Sequence, residues 1–138
     1  MKKNLLFLMV DQMHGQVLDE NNPCLTPNLD KLAKRGVKFN KAHTANPVCS
    51  PARASIMTGL LPHNHGVTTV THTVDKDQSN LRTEKEHWAQ RLKNDGYNTA
   101  YFGKWHVERT NKLEDFGWDT YSLQDATSAS LGGSPWGK

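Results

Sequence analysis

The stretch that decides the fold class covers residues 83–102 and reads TEKEHWAQRLKNDGYNTAYF. Thr83 and Glu86 stand three residues apart, which is the spacing of a capping box at the start of a helix. We therefore predict a helix over residues 84–95, closed by Gly96, a residue type that often follows the last helical turn. The β-branched and aromatic residues that come next predict a strand directly after this helix.

Three strands are predicted along the chain, at residues 5–10, 37–42 and 97–102. Residues 5–10, LLFLMV, form a short apolar run that the polar pair Asp11 and Gln12 ends. Such a run is typical of a buried strand in a parallel sheet. Residues 37–42 alternate apolar and polar side chains, as a strand with one buried face does.

Two more helices are predicted upstream of the first stretch. One covers residues 26–36, with Thr26 as its N-cap and Pro27 at its first helical position. Its inward-facing side chains are predicted to be Leu29, Leu32 and Ala33. The other covers residues 51–59, from a proline to a glycine. Strands and helices that alternate in this way predict an α/β fold, with a mostly parallel sheet flanked by helices.

The carboxy-terminal part of the sequence departs from this alternation. Residues 120–138 show no periodic apolar pattern, and residues 128–138 are rich in Ser and Gly. These features predict a loop-like tail rather than the end of a packed domain.

Composition and charge give no support for a nucleic-acid-binding protein, a membrane-spanning protein or a disulfide-rich protein. The chain carries 17 Lys and Arg against 14 Asp and Glu, and a net charge of +3 does not require a nucleic-acid or membrane partner. The apolar run at residues 5–10 is far shorter than the ~20 residues of a membrane span. No cleavage site follows that run, so we expect no signal peptide and a cytoplasmic location, with a periplasmic one less favoured. Two cysteines are too few for a disulfide framework.

The stretch that contains candidate catalytic residues covers residues 49–59 and reads CSPARASIMTG. Cys49 lies just before Pro51, the predicted first residue of a helix, where free N–H groups and the helix dipole favour an anion. Such a position also suits a nucleophilic thiol. Arg53 lies in the first turn, where its guanidinium is placed to bind an oxyanion. On these residues alone, a buried structural cysteine remains an alternative.

Residues 49–59 closely resemble the signature of the type I sulfatases, members of the alkaline phosphatase superfamily. Residues 96–106, GYNTAYFGKWH, resemble a second signature of that family. Four further stretches resemble the family in the same order, namely DQ at 11–12, TPNLD at 26–30, PHNHGV at 62–67 and FGWD at 116–119. The resemblance implies an alkaline phosphatase-like α/β fold, of which residues 1–138 would form the incomplete amino-terminal portion.

The resemblance implies hydrolysis of sulfate esters by a formylglycine nucleophile. In the family, a formylglycine-generating enzyme oxidises the signature cysteine, which here is Cys49. Arg53 matches the residue that orients the formylglycine, and Lys104 matches a cation that contacts the sulfate. His106 matches the histidine that hydrogen-bonds the formylglycine hydrate and can take a proton. The expected partners are therefore a small-molecule sulfate ester and the modifying enzyme.

A divalent metal is also implied by the resemblance, usually Ca²⁺, with Mn²⁺ or Mg²⁺ as alternatives. Asp11 and Gln12 match the first two ligands, Cys49 in its modified form matches another, and oxygen donors suit such a hard cation. Many members carry a second Asp where this chain has Gln12. Gln occurs there among bacterial sulfatases and among phosphonate and phosphodiester hydrolases. A phosphonate monoester or phosphodiester hydrolase is therefore one alternative, and a catalytically silent fragment with unmodified Cys49 is another.

The family's remaining metal ligands and its leaving-group acid have no match in this sequence. The ligands are an Asp followed by Asn or His at the end of a later strand, and Asp119 and Asp125 do not resemble that pattern. We therefore expect an amino-terminal fragment that binds metal weakly and is inactive alone.

The other histidines and Cys24 receive smaller roles. His63 and His65 form an H-x-H pair, to which we assign a structural or rim role rather than a metal site. His14 is a weaker candidate for the substrate pocket. No pattern involves the histidines His43, His72 and His87. Cys24 is not expected to pair with Cys49, because Cys49 is needed for modification.

Overall fold

The computed structural model describes residues 2–123 of the 138-residue chain. The chain divides into two compact units, Met1–Ala42 and His43–Lys138. No helix within residues 2–123 combines the length and the apolar character needed to cross a membrane.

The first unit contains one regular element, helix α1 at Pro27–Arg35. The predicted helix is confirmed, with Thr26 as N-cap and a proline at its start. The Thr26 hydroxyl donates to the Asp30 carboxylate at 2.9 Å, which ties the first turn together. None of the nine residues of α1 is buried, so the prediction that Leu29, Leu32 and Ala33 face a core is wrong within this unit. Leu32, for example, is 64% exposed.

The strands predicted at residues 5–10 and 37–42 are not formed. Neither range has strand structure, and Leu6 and Phe39 are about four-fifths exposed at 80% and 79%. An apolar run becomes a buried strand only where neighbouring strands pair with its backbone and helices cover its faces. Within residues 2–123, the paired strands both belong to the second unit.

The second unit contains a two-stranded parallel sheet, made of β1 at Ala100–Gly103 and β2 at Thr120–Leu123. Ala100 lies opposite Thr120, and Gly103 lies opposite Leu123. The strand predicted at 97–102 is therefore present, three residues later at its start, and the parallel arrangement of the predicted α/β fold is confirmed.

Strand β2 falls at the start of the segment that we predict to be a loop-like tail. The residues of β2, TYSL, are too few to show a clear alternation, and pairing with β1 makes them a strand. The rest of the predicted tail, residues 124–138, lies outside the described residues.

Three helices flank the sheet. Helix α2 covers Cys49–Thr58 and therefore begins two residues before the predicted start at Pro51. It ends at Gly59, whose φ of 70° is left-handed. The short helix α3 covers Pro62–His65, and α4 covers Trp88–Asn94.

Helix α4 begins four residues later than predicted. His87 is its N-cap, and the Gln90 side chain accepts the His87 N–H at 2.7 Å. The predicted capping box at Thr83 and Glu86 is wrong. The Glu86 carboxylate instead accepts a hydrogen bond from Arg91 Nε at 2.8 Å and does not cap the helix.

The core of the second unit contains a set of aromatic rings in mutual contact. Tyr101 from β1 meets Trp105 edge to face at 5.4 Å, and Trp88 from α4 meets Trp118 in the same way at 5.1 Å. Such edge-to-face pairs are favourable beyond the area that they bury. The apolar residues at the centre of this core are Ala54, Met57, Val67, Leu81, Ala89, Trp105, Val107, Leu113, Phe116 and Trp118.

Candidate functional site

Cys49 is the first residue of α2 and is partly buried. The first turn of a helix carries backbone N–H groups without partners inside the helix, so it provides a positive local field. Ser50, the next residue, is fully buried, and its hydroxyl accepts the backbone N–H of Thr71 at 3.4 Å. The start of α2 is therefore fixed against a neighbouring loop rather than left free in solvent.

Arg53 joins α2 to the segment that follows β1. It lies four residues after Cys49, on the same helix face, and is only 7% exposed. Its Nη1 donates to the backbone carbonyl of Lys104 at 2.7 Å, and the Tyr101 hydroxyl donates to the same oxygen at 2.5 Å. Two of the predicted catalytic residues, Arg53 and Lys104, are thereby in direct contact.

His106 has an unusual backbone conformation. Its φ of 51° lies in the left-handed region, which costs a residue other than glycine about 1 kcal/mol or more. The residues on either side, Trp105 and Val107, are fully buried and hold this backbone in place. The imidazole of His106 stacks on that of His72, with ring centres 5.0 Å apart and planes inclined by 6°.

Asp11 and Gln12 lie in a turn of the first unit, and both side chains are exposed. Gln12, like His106, has a left-handed backbone, with φ of 56°. Residues 2–123 nowhere bring together three or more His, Cys, Asp or Glu side chains that could hold a metal ion. Asp11 and Gln12 supply two side chains, fewer than the about six to eight oxygen ligands that Ca²⁺ takes, so a metal bound through them requires further ligands.

His65 is a structural residue, as we predict for the H-x-H pair. It is fully buried, and its Nδ1 accepts the backbone N–H of Val67 at 3.1 Å. Nε2 therefore carries the proton and donates to the Ser55 hydroxyl at 2.9 Å. This tautomer cannot take a proton from Ser55, so the pair is not an activated serine. Burial, assisted by the positive charge of Arg82, lowers the pKa of His65 below its usual range.

The structure also reveals residues that sequence reasoning missed. His72 reaches His106 from a loop with no recognisable motif, and Arg109 holds that loop through backbone carbonyls. No signal in the sequence marks either residue, because both act through contacts between distant parts of the chain. Cys24 and Cys49 are both free thiols.

Glu108 follows His106 by two residues and is partly buried. Its carboxylate accepts the backbone N–H of Thr110 at 2.6 Å. Burial raises the pKa of Glu108, partly offset by its hydrogen bonds and by the charge of Arg109. The carboxylate closes a turn after His106, so we assign it to the shape of the loop.

Comparisons with known proteins identify the family of the chain. The sequence model of the Sulfatase family matches residues 3–132. The chain is 38% identical over 109 residues to the ulvan-active sulfatase of Formosa agariphila, covering 78% of this chain and 20% of that protein. It is 38% identical over 117 residues to the choline-sulfatase of Rhizobium meliloti, covering 83% of this chain and 22% of that protein.

A solved structure, Ps i-CgsB in complex with k-i-k-neocarrahexaose, matches with a TM-score of 0.62 and 33% identity. The match covers 71% of this chain and 22% of that one. The chain thus spans about a fifth of the length of the curated relatives that it matches. Since the family match extends over nearly all of the sequence, the chain belongs to the sulfatase family.

Proposed function

We propose that the protein of which this chain forms a part hydrolyses sulfate esters, with Cys49 as its nucleophile after oxidation to formylglycine. The observation that carries the proposal is the hydrogen bond of 2.7 Å from Arg53 to the Lys104 carbonyl. It joins the helix that begins at Cys49 to the segment that contains Lys104 and His106. Residues that are distant in sequence are thereby held in one region of the second unit.

As formylglycine hydrate, residue 49 supplies two hydroxyls on one carbon. The oxygen of one attacks sulfur while the bond from sulfur to the ester oxygen breaks and the alcohol or phenol leaves. Deprotonation of the other then expels the sulfate and re-forms the aldehyde. An unmodified thiol lacks the second hydroxyl and therefore has no such route for release. Arg53, fixed by its bond to Lys104, holds the first turn of α2 in position and orients residue 49. Lys104 supplies a positive charge for the sulfuryl oxygens. His106 hydrogen-bonds residue 49 and takes a proton.

A divalent metal is part of the proposal for the whole protein. Asp11 and Gln12, together with modified Cys49, are the proposed ligands from this chain, and their oxygen donors suit Ca²⁺, with Mn²⁺ and Mg²⁺ as alternatives. Such an ion would supply Lewis-acid polarisation of the sulfuryl oxygens. These three residues are fewer than the about six to eight oxygen ligands that Ca²⁺ takes, so further donors must complete the site.

One observation favours a second candidate function. Gln12 carries no charge where a second carboxylate would make the metal site more negative. That difference keeps a phosphonate monoester or phosphodiester hydrolase as an alternative. Turnover of an aryl sulfate and of the matching aryl phosphonate by the whole protein separates the two candidate functions, because the substrate with the higher kcat/KM is the preferred ester.

The state of Cys49 is the direct test of the proposal. The chain is co-expressed with a formylglycine-generating enzyme, and the peptides that contain Cys49 and Cys24 are compared by mass spectrometry. We expect the aldehyde at Cys49 only. Cys24 is the internal control, because it is an exposed thiol without the surrounding motif. An intact thiol at both positions would identify a catalytically silent chain and contradict the proposal.

A further inference from the structure

Residues 71–80 form a loop that Arg109 holds from within. Arg109 Nη2 donates to three backbone carbonyls, those of Thr71 at 2.5 Å, Asp75 at 3.0 Å and Gln78 at 3.1 Å. Its Nη1 donates to the side-chain oxygen of Asn80 at 2.5 Å. One guanidinium therefore fixes both ends and the middle of the loop.

Ser79 holds the far end of the same loop. Its hydroxyl accepts the backbone N–H groups of Thr68 and Thr69, each at 3.0 Å, and donates to the Thr69 carbonyl at 2.7 Å. Its backbone has φ of 49°. Among the described residues, the three with a left-handed backbone that are not glycine are Gln12, Ser79 and His106. Two of these are predicted site residues, and the third maintains the loop that carries His72.

The near end of the loop reaches the start of α2. The Thr71 N–H donates to the buried hydroxyl of Ser50, the residue next to Cys49. His72 follows Thr71 directly, and its ring lies flat against the ring of His106 at 5.0 Å. One continuous set of contacts thus runs from Arg109 through the loop to His72, and from His72 to the imidazole of His106.

We propose that His72 is a positioning residue for His106 and that Arg109 sets the position of His72. This inference rests on the proposed function, in which His106 hydrogen-bonds residue 49 and takes a proton. A ring stacked on one face of His106 restricts the rotation of that imidazole and keeps its nitrogens in a defined plane. Reorientation of His106 before each turnover is thereby avoided.

The first test measures the stack without any need for activity. The His106 ring resonances of the 138-residue chain are recorded by NMR, with His106→Gln used for assignment. His72→Ala removes the neighbouring ring, so we expect the His106 ring protons to lose their ring-current shift. His72→Phe retains a planar ring and should keep most of that shift. Arg109→Met should reproduce the effect of His72→Ala, although His72 itself is intact.

The second test measures kinetics in the whole protein with Cys49 converted to formylglycine and an aryl sulfate as substrate. Residues that orient metal-binding histidines affect metal affinity or activity by roughly 10- to 100-fold, and we expect a residue that orients His106 to act on the same scale. We expect kcat to fall by roughly ten-fold or more in His72→Ala, with little change in KM, and to recover in His72→Phe.

The two tests separate failure of this inference from failure of the proposed function. If Cys49 is not modified and no variant shows turnover, the proposed function fails, and the NMR comparison still decides whether His72 orders the His106 ring. Unchanged His106 resonances in His72→Ala would overturn the inference. Equal kcat values for His72→Ala, His72→Phe and the unchanged protein would overturn it as well.

Discussion

His87 should make the stability of the second unit depend strongly on pH. Its side chain is fully buried, and its ring centre lies 6.0 Å from that of Trp105 and 4.7 Å from that of Phe116. Burial, with a smaller repulsion from His65, lowers the pKa of His87 from 6.5 to about 4. The folded state therefore requires a neutral ring.

The direction of the effect follows from proton linkage. Above about pH 7 the ring is neutral in both folded and unfolded chains, so it contributes no pH dependence. As the pH falls through 6.5, His87 becomes protonated in the unfolded chain, whereas in the folded chain it is not protonated until about pH 4. The free energy of unfolding therefore falls across this range. The two pKa values differ by about 2.5, which at about 1.4 kcal/mol per pKa unit gives a total loss of about 3.5 kcal/mol.

The assay is urea denaturation of the unchanged chain and of His87→Leu, at intervals between pH 8 and pH 4.5. A volume-conserving apolar replacement usually costs below about 1.5 kcal/mol at a pH where the original ring is neutral. We expect the stability of the unchanged chain to drop towards that of the variant, and then below it, as the pH falls. The lowered pKa of His65 contributes in both proteins, so the difference between them reports His87 together with its smaller coupling to His65.

A matched control is His43→Gln, since His43 is exposed. This variant should follow the unchanged chain at every pH. The reasoning is refuted if His87→Leu and the unchanged chain lose stability in parallel. It is also refuted if the His87 ring titrates by NMR with a pKa near 6.5 in the folded state.

Three further predictions concern the hydrogen bond at Lys104, the glycines and the metal. Arg53→Met should cost about 1–3 kcal/mol in urea denaturation, because it removes a buried hydrogen bond to the Lys104 carbonyl. Gly117→Ala should be far more destabilising than Gly59→Ala in thermal unfolding. Both glycines have positive φ, but an added Cβ at Gly117 would lie 2.5 Å from the Gln90 nitrogen, and at Gly59 it meets nothing within 4 Å. Calcium titration of the 138-residue chain by calorimetry should show no saturation near about 1 mM, whereas submicromolar binding would contradict the need for further ligands.

Local chemistry accounts for what could be predicted of the fold. Pro27 and Gly59 mark helix ends through backbone restrictions that do not depend on the rest of the chain. Helix α1 was accordingly predicted to within one residue. The strand prediction at residues 5–10 is wrong, because it rests on apolarity alone and a strand also needs a neighbouring strand to pair with. The four residues of β2 were missed for the opposite reason, since only their pairing with β1 makes them a strand.

Some residues of the candidate site could be identified from the sequence and others could not. Cys49, Arg53, Lys104 and His106 could be selected from the sequence because they occur in two short, ordered motifs. Their roles remain predictions, since the structure shows the arrangement of these residues and not their chemistry. His72 and Arg109 could not be selected, because a stacked ring and a set of carbonyl contacts leave no pattern along the chain.

The sequence by itself determined the sulfatase family, the helix ends and the residue types placed next to the start of α2. These depend on motifs and on local backbone chemistry, which a linear sequence carries in full. Only the tertiary structure decided that Arg53 bonds to the Lys104 carbonyl, 51 residues away, and that His72 stacks on His106. It also decided that His87 is buried against the rings of Trp105 and Phe116. Such contacts depend on how distant segments pack, and packing is a property of the folded chain rather than of any one stretch of sequence.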